Sequence, residues 1–217
     1  MENKITISKT ARYFTHGNAE TAENIWIVLH GYSQLAEFFI RKFKKLDPEK
    51  NFVVAPEGLH HFYRKGTSGR VGASWMTKEA RLDDIDDNHK YLDELAAQLL
   101  KNKNYKQRYL LGFSQGGATA SRWHNNGNFN ADHFILWASA FPSDISTEHN
   151  HAKMLKSNNY FAIGSSDEFF EGKMVKVNQF FDKQEFATKI KTFDGGHDID
   201  IPTLLEIYAE CSSLINS

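Results

Sequence analysis

Cysteine is nearly absent from this chain of 217 residues; Cys211 stands alone. A lone cysteine forms no internal disulfide and excludes a multi-cysteine zinc site. Proline is scarce, with four residues, and no stretch rich in Pro, Gly or Ser reads as a linker. No apolar run approaches the roughly 18 residues that a membrane-spanning helix needs. The opening segment MENKITISKT lacks the apolar core of a secretory signal. Charge of one sign is missing too: 26 Lys and Arg against 27 Asp and Glu leave a formal net charge of −1. That balance gives no electrostatic reason to expect nucleic acid or an anionic membrane as a partner. These absences describe a soluble, cytoplasmic protein that acts on a small molecule without a cofactor or metal. A homodimer stays open as its assembly.

What is present is ordinary globular composition, 41% hydrophobic and 13% aromatic. The length fits one domain over residues 1–217. Along it recurs a unit of short apolar run, small or polar turn, then helical stretch, the pattern of a mainly parallel sheet with helices on both faces. The runs are Ile25 to Leu29, Phe52 to Ala55, Tyr109 to Phe113, Phe134 to Ala138, Tyr160 to Ile163 and about Ala187 to Phe193. Their continuous apolarity suits strands covered on both sides. Ile5 to Ser8 and Arg12 to Thr15 read as an antiparallel pair at the sheet edge. Helical spacing predicts Asp83 to Lys101, with Ile85, Leu92, Leu95, Ala96 and Leu99 on one stripe, and Thr203 to Asn216, with Leu204, Tyr208, Cys211 and Ile215 inward. Cys211 is thereby read as a core packer.

Gly112-Phe113-Ser114-Gln115-Gly116-Gly117 fits G-x-S-x-G, directly after an apolar strand and before a plausible helix, Gln115 to His124. A serine there sits on a sharp strand-to-helix turn. The flanking glycines lack side chains that would collide across it. The turn also aims the N–H groups of the helix start at a reacting oxygen where negative charge develops.

A serine hydroxyl is a poor nucleophile without a base, and the base needs a third group to hold it. In this arrangement the acid and then the histidine follow the serine in chain order. Asp167 directly follows the fifth run, and its rivals fit less well. Asp144 comes one strand early, Asp182 falls in a helical stretch, and Asp194 sits where the histidine belongs. His197 follows the last strand on a Gly-Gly turn. Among the other histidines, His30 precedes Ser114, His60 and His61 are adjacent in a loop, His89 and His124 lie in helices, and His149 and His151 fall in a polar stretch; all read as solvated or packing. The oxyanion donors are expected to be the backbone N–H groups of Gln115 and of Tyr32, in the loop Leu29-His30-Gly31-Tyr32-Ser33.

LHGYS, GFSQGG, SSDE and GGH, with Ser74-Trp75 between, resemble the phospholipase/carboxylesterase family of small α/β-hydrolases, which includes acyl-protein thioesterases. The resemblance runs from about Ile25 to the C-terminus. It implies an α/β-hydrolase fold without a cap domain. It also implies that Ser114, Asp167 and His197 match the triad, and that Trp75 borders the substrate channel. Dienelactone hydrolases, with cysteine as nucleophile, are excluded by the serine. Two departures bear on the substrate: Tyr32 replaces a smaller aliphatic residue, and His60 to Val71 is basic and aromatic. Arg64, Lys65 and Arg70 in that stretch read first as a solvated loop and second as a recognition element for an acidic substrate.

The function expected is hydrolysis of a small carboxylic ester or thioester, with Tyr32, Trp75 and Phe141 around the acyl group. Lysophospholipase or acyl-protein thioesterase activity is the alternative within the class. A non-catalytic binding protein of this fold is the alternative outside it, disfavoured because no triad member is lost. A peptidase of this fold would need a cap or propeller for which the chain has no room.

Overall fold

The computed structural model describes residues 1–146 and 151–213. Its strands are β1 (Tyr13–His16), β2 (Asn24–Leu29), β3 (Asn51–Pro56), β4 (His60–Tyr63), β5 (Val71–Ser74), β6 (Gln107–Phe113), β7 (His133–Trp137), β8 (Asn158–Gly164) and β9 (Thr188–Phe193). Its helices are α1 (Ala36–Phe39), α2 (Arg81–Leu100), α3 (Gln115–Asn126), α4 (Ser143–Ser146), α5 (Met174–Phe181) and α6 (Ile201–Ser213).

Seven strands form one sheet in the order β1-β3-β2-β6-β7-β8-β9. Every neighbouring pair is parallel except β1 with β3. From β2 the chain first winds outward to β3, then returns to β6 on the other side of β2. The order therefore reverses between β2 and β6, and in open α/β sheets ligands bind beyond the carboxyl ends of the strands at such a reversal. The loop after β2 carries Tyr32, and the turn after β6 carries Ser114.

The period of two along each strand sends alternate residues to opposite helical layers. Trp26, Val28, Tyr109 and Leu111 pack with Phe39, Leu204, Ile207 and Cys211. Ile27, Leu29, Leu110 and Leu136 pack with Leu92, Ala96, Ala120 and Trp123 on the other face. Both layers are apolar, so β2, β3 and β7 are buried at every position, which is why their sequence runs do not alternate. Burial also pushes the Cys211 thiol up to about 11, away from the range of a reactive thiolate.

Three expectations change. Ile5 to Ser8 forms no strand; Ile5 and Ile7 are exposed, and the edge position beside β3 is taken by Tyr13–His16 alone. His60 and His61 are not in a loop: they begin β4, which pairs antiparallel with β5 as a separate two-stranded hairpin. Last, α6 begins at Ile201, two residues ahead of the predicted start. His149, Ile215 and Asn216 lie outside the described residues.

Two histidines are locked into the core as neutral rings. His124 pairs through Nε2 with Ser157 Oγ at 3.0 Å, stacks on Phe134, and is pulled down by burial to about 3. His133 faces Gln107 Oε1 at 2.7 Å through Nε2, and burial lowers it to about 4. Depressed pKa values mean that the unfolded chain binds protons that the native state refuses, so stability is complete above about 6.5 and falls as pH drops towards 4. The unfolding free energy is therefore expected to decline by on the order of several kcal/mol between pH 7 and pH 4. Urea midpoints across that range would show it; a flat profile would mean that these rings take up protons in place.

Candidate active site

The turn from β6 into α3 is built by close backbone approach. Ser114 has φ 52° and ψ −122°, a conformation that L-residues adopt only under constraint. Its N–H donates to the Trp137 carbonyl at 2.9 Å, and its carbonyl accepts from Gly117 N–H at 2.9 Å. A β-carbon on Gly112 would lie 2.5 Å from Gly117 Cα, and one on Gly116 would lie 2.4 Å from the carbonyl oxygens of both Leu29 and His30. The glycines therefore let α3 press against β6 and against the loop after β2 together. Ser114 itself remains partly exposed.

Asp167 and His197 arrive on two other loops that are stitched to each other. Ser165 N–H donates to the Phe193 carbonyl at 2.8 Å, and Ser166 N–H to the Gly195 carbonyl at 2.9 Å. Gly164 makes that approach possible, because a β-carbon there would fall 2.3 Å from the Gly195 carbonyl oxygen. In this frame His197 Nδ1 lies 2.8 Å from Asp167 Oδ2. The Asp167 side chain is fully buried, and its other oxygen accepts the Phe169 N–H at 2.9 Å. A carboxylate accepts only, so Nδ1 carries the proton and Nε2 keeps a free lone pair. The imidazole lies between two rings, 4.9 Å from Phe113 and 4.6 Å from Phe169 between centroids. Phe113 immediately precedes Ser114, so that contact brings His197 alongside the turn.

On the far side of Ser114, the Tyr32 and Gln115 N–H groups have no hydrogen-bond acceptor among the described residues. The loop that carries Tyr32 is braced from within. His30 Nε2 accepts the Gly58 N–H at 3.0 Å, leaving Nδ1, 2.8 Å from the Gly31 carbonyl, as the donor. Burial lowers His30 to about 4, so this ring is a neutral strut. Gln34 Oε1 accepts the Gly31 N–H at 2.9 Å, and the buried Glu57 carboxylate accepts the Ala36 N–H at 2.9 Å while pairing with His61 and Arg12. The Gln115 side chain reaches across to β5, where Oε1 accepts from Trp75 N–H at 3.0 Å and Nε2 donates to the Met76 carbonyl at 2.8 Å.

The model of the FSH1 serine hydrolase family matches residues 22–208, most of the chain and the whole span from β2 into α6. The chain belongs to this family. No curated protein matches it. Its fold is shared by a phospholipase/carboxylesterase from Dyadobacter fermentans, with 15% identity, TM-score 0.65, and 95% of this chain and 98% of that one covered. Acyl-protein thioesterase 2 from Zea mays aligns with 16% identity and TM-score 0.66 over 95% of this chain and 99% of that one. A carboxylesterase from Mesorhizobium loti aligns with 15% identity and TM-score 0.69 over 92% and 94%. The mainly parallel sheet of this serine hydrolase is thus an α/β-hydrolase fold, with no cap domain among the described residues, as the resemblance to small esterases and thioesterases implied.

Within the serine hydrolase, the other residues singled out in the sequence fall in different places. Trp75 needs correcting: it is fully buried, and its Nε1 donates to the His30 carbonyl at 2.8 Å. It supports the loop after β2 from below and presents no surface to a substrate. Phe141 is half-buried against His151, Phe180 and Phe186 on the loop after β7. Tyr32 is exposed and stacks on Phe62 at 5.1 Å. Asp144, the rival acid, is clamped by Arg122 at 2.7 and 2.8 Å and by Arg81 at 2.9 Å, and hydrogen bonding to Arg122 holds it at about 2. Asp194 is exposed, and Asp182 follows the last turn of α5. Among the described residues no three His, Cys, Asp or Glu side chains come together as a metal site.

Sequence reasoning missed Phe169, His30, Gln34 and Glu57. Phe169 lies two residues beyond Asp167, and an exposed aromatic there was the available signal. His30 and Glu57 act through backbone partners distant in sequence, and Gln34 through Gly31 within one loop, which no local pattern marks.

Gly116→Ala tests the close approach directly. Its β-carbon overlaps two carbonyls that cannot move without displacing β2, so a loss of about 1–3 kcal/mol is expected, with esterase turnover lost further than stability. Denaturant titration alongside an ester assay checks both, and unchanged stability would mean that the helix start is looser than drawn.

Proposed function

We propose that this serine hydrolase cleaves small carboxylic esters or thioesters through an acyl-enzyme on Ser114. Carrying the reading is the 2.8 Å pairing of His197 Nδ1 with the buried carboxylate of Asp167, beside the strained turn of Ser114. In this reading Ser114 Oγ attacks the carbonyl carbon while its proton passes to His197 Nε2. Asp167 keeps the imidazole in the tautomer that can accept it and stabilises the imidazolium. The Tyr32 and Gln115 N–H groups hold the oxyanion, each worth about 2.7–4 kcal/mol where such a donor has been removed in other enzymes. Collapse breaks the bond to the alcohol or thiol, which leaves with the proton from His197. Water then attacks the acyl-enzyme, giving its proton to His197, and the serine is released with the acid.

Tyr32 and Phe141, with the exposed Phe169, are the aromatic surfaces proposed to meet the acyl group. Thioester cleavage is a second form of the same reading, supported by the fold shared with the Zea mays acyl-protein thioesterase. We further propose a single domain over residues 1–217 in the cytoplasm, acting on small molecules. Among the described residues no helix is long and apolar enough to cross a membrane.

A p-nitrophenyl ester series from acetate to palmitate, assayed on wild type, Ser114→Ala and Asp167→Asn, tests the proposal. Ser114→Ala is expected to abolish acyl-enzyme turnover. Asp167→Asn keeps the shape but loses the tautomer lock, so kcat is expected to fall by on the order of 10⁴. Turnover surviving in Ser114→Ala would discard the nucleophile assignment. A folded wild type inert on every ester and on acyl thioesters would favour a non-catalytic binding protein of this fold.

A further inference from the structure

A groove of about 660 Å³ opens between the β4–β5 hairpin and the loop after β2. Leu35, Phe38, Phe39 and Val71 give it apolar walls, and Lys42, Arg64 and Arg70 supply its charge. Around the hairpin tip a second concavity of about 550 Å³ is lined by Arg64, Lys65, Ser68, Gly69 and Arg70. The side chains of Arg64, Lys65 and Arg70 are exposed and have no ion-pair, hydrogen-bond or ring partner among the described residues. Several cations elsewhere have a carboxylate partner: Arg122 and Arg81 clamp Asp144, Arg12 meets Glu57, and Lys191 meets Glu206 and Glu210. In a chain with net charge −1, three convergent unpaired cations form a local positive field that an anion would neutralise.

A solvated loop tip would have the same charge but no reason to be tied to the chemistry. This hairpin is tied to it, and so is the groove wall beside it. Ser33 N–H donates to the Ala73 carbonyl at 2.9 Å and Ala73 N–H to the Gln34 carbonyl at 3.1 Å, so β5 is joined to the loop that carries Tyr32. Gly72 permits the contact, since a β-carbon there would sit 2.7 Å from the Ser33 carbonyl oxygen. In the groove wall, Phe39 stacks on Phe113 at 6.0 Å, and Lys42 pairs at 2.6 Å with Asp198, the neighbour of His197.

We propose that this groove receives an anionic group carried by the substrate, so that the preferred ester or thioester bears a carboxylate or phosphate on an apolar chain. The apolar walls take the chain, and Arg64 and Arg70, which line both the groove and the tip concavity, take the anion with Lys65 adding charge from the tip. Arginine suits the task because its planar fork matches either group bidentately. Only the turnover arm of the test rests on Ser114 as nucleophile; the binding arm does not.

Binding is measured by isothermal titration on Ser114→Ala, which holds substrates without consuming them. Hexanoyl-coenzyme A carries its anion in the leaving group and is compared with neutral S-hexanoyl-N-acetylcysteamine. Monoethyl adipate carries it on the acyl chain and is compared with ethyl hexanoate. At least one anionic member is expected to bind about tenfold more tightly than its neutral counterpart. That advantage should shrink at high salt and vanish when Arg64→Gln and Arg70→Gln are combined in a variant with unchanged thermal unfolding. Whichever pair responds says where the anion sits. Equal binding within both pairs, or an advantage that survives the double substitution, overturns the proposal. Wild-type kcat/KM on the same four compounds is read in parallel. Absence of turnover with the binding preference intact would overturn the hydrolase reading and leave the groove assignment standing.

Discussion

Holding a non-glycine residue at φ 52° and ψ −122° costs on the order of 1–3 kcal/mol, so Ser114 keeps its conformation only because its surroundings over-determine it. The constraint comes from close approach at glycine positions. Gly116 lies against the carbonyls of Leu29 and His30, Gly112 against Gly117, and Gly117 against Ser139. These contacts join the ends of β2, β6 and β7 into one unit. The exposed serine, the free N–H of Gln115 and the position of the loop after β2 are then consequences of a single packing arrangement. Loosening any one contact would shift Ser114 and the Tyr32 and Gln115 N–H groups together.

Around that unit, charge is kept off the struts and placed where it has a partner. His30 is buried and neutral, and Trp75 reaches the His30 carbonyl with an uncharged N–H. An ionised His30 would lose the lone pair that holds Gly58 N–H. Geometry requires the neutral ring. Glu57 and Asp167 are the buried carboxylates near the site, and each is satisfied by hydrogen bonds, Glu57 from Ala36, His61 and Arg12, Asp167 from His197 and Phe169. Buried charge is tolerable on those terms. The stitched loops of Asp167 and His197 supply the orientation through backbone hydrogen bonds.

How much of this was legible in the sequence follows from the distance over which each feature is enforced. The elbow was visible because its requirements are local: three glycines and a serine within six residues, between a strand and a helix. The order of the sheet was legible in outline, because residues buried on both faces cannot alternate, and IWIVL and FILWA do not. Asp167 and His197 could be chosen by strand order alone. Trp75 was misjudged because an aromatic after Ser74 looks the same on a channel wall as under a loop; only the carbonyl of His30, 45 residues away, decides. His30 and Glu57 were passed over for the same reason, since their partners Gly58 and Ala36 lie 28 and 21 residues off. The β4–β5 hairpin was missed because its strands are four residues each, and Phe62 and Val71 are its only large apolar side chains that are not exposed.

The loops at the carboxyl ends of the strands are what the described residues place around Ser114. The loop after β2 is fixed by its contact with Gly116 and by the His30 and Gln34 side chains, and the loops of Asp167 and His197 by each other. Ser114 has no freedom at all. What is left to vary is Tyr32, the aromatic cluster around Phe141, and the tip of the hairpin, whose strands are joined to the site by two backbone hydrogen bonds, the Tyr32–Phe62 stack and the Ser74–Gln115 contact. Such an attachment lets the tip change its side chains without disturbing the turn at Ser114. A cationic tip on a chain of near-zero net charge is therefore a property that the fold permits but does not require, and its position beside the groove is what gives it a bearing on the substrate.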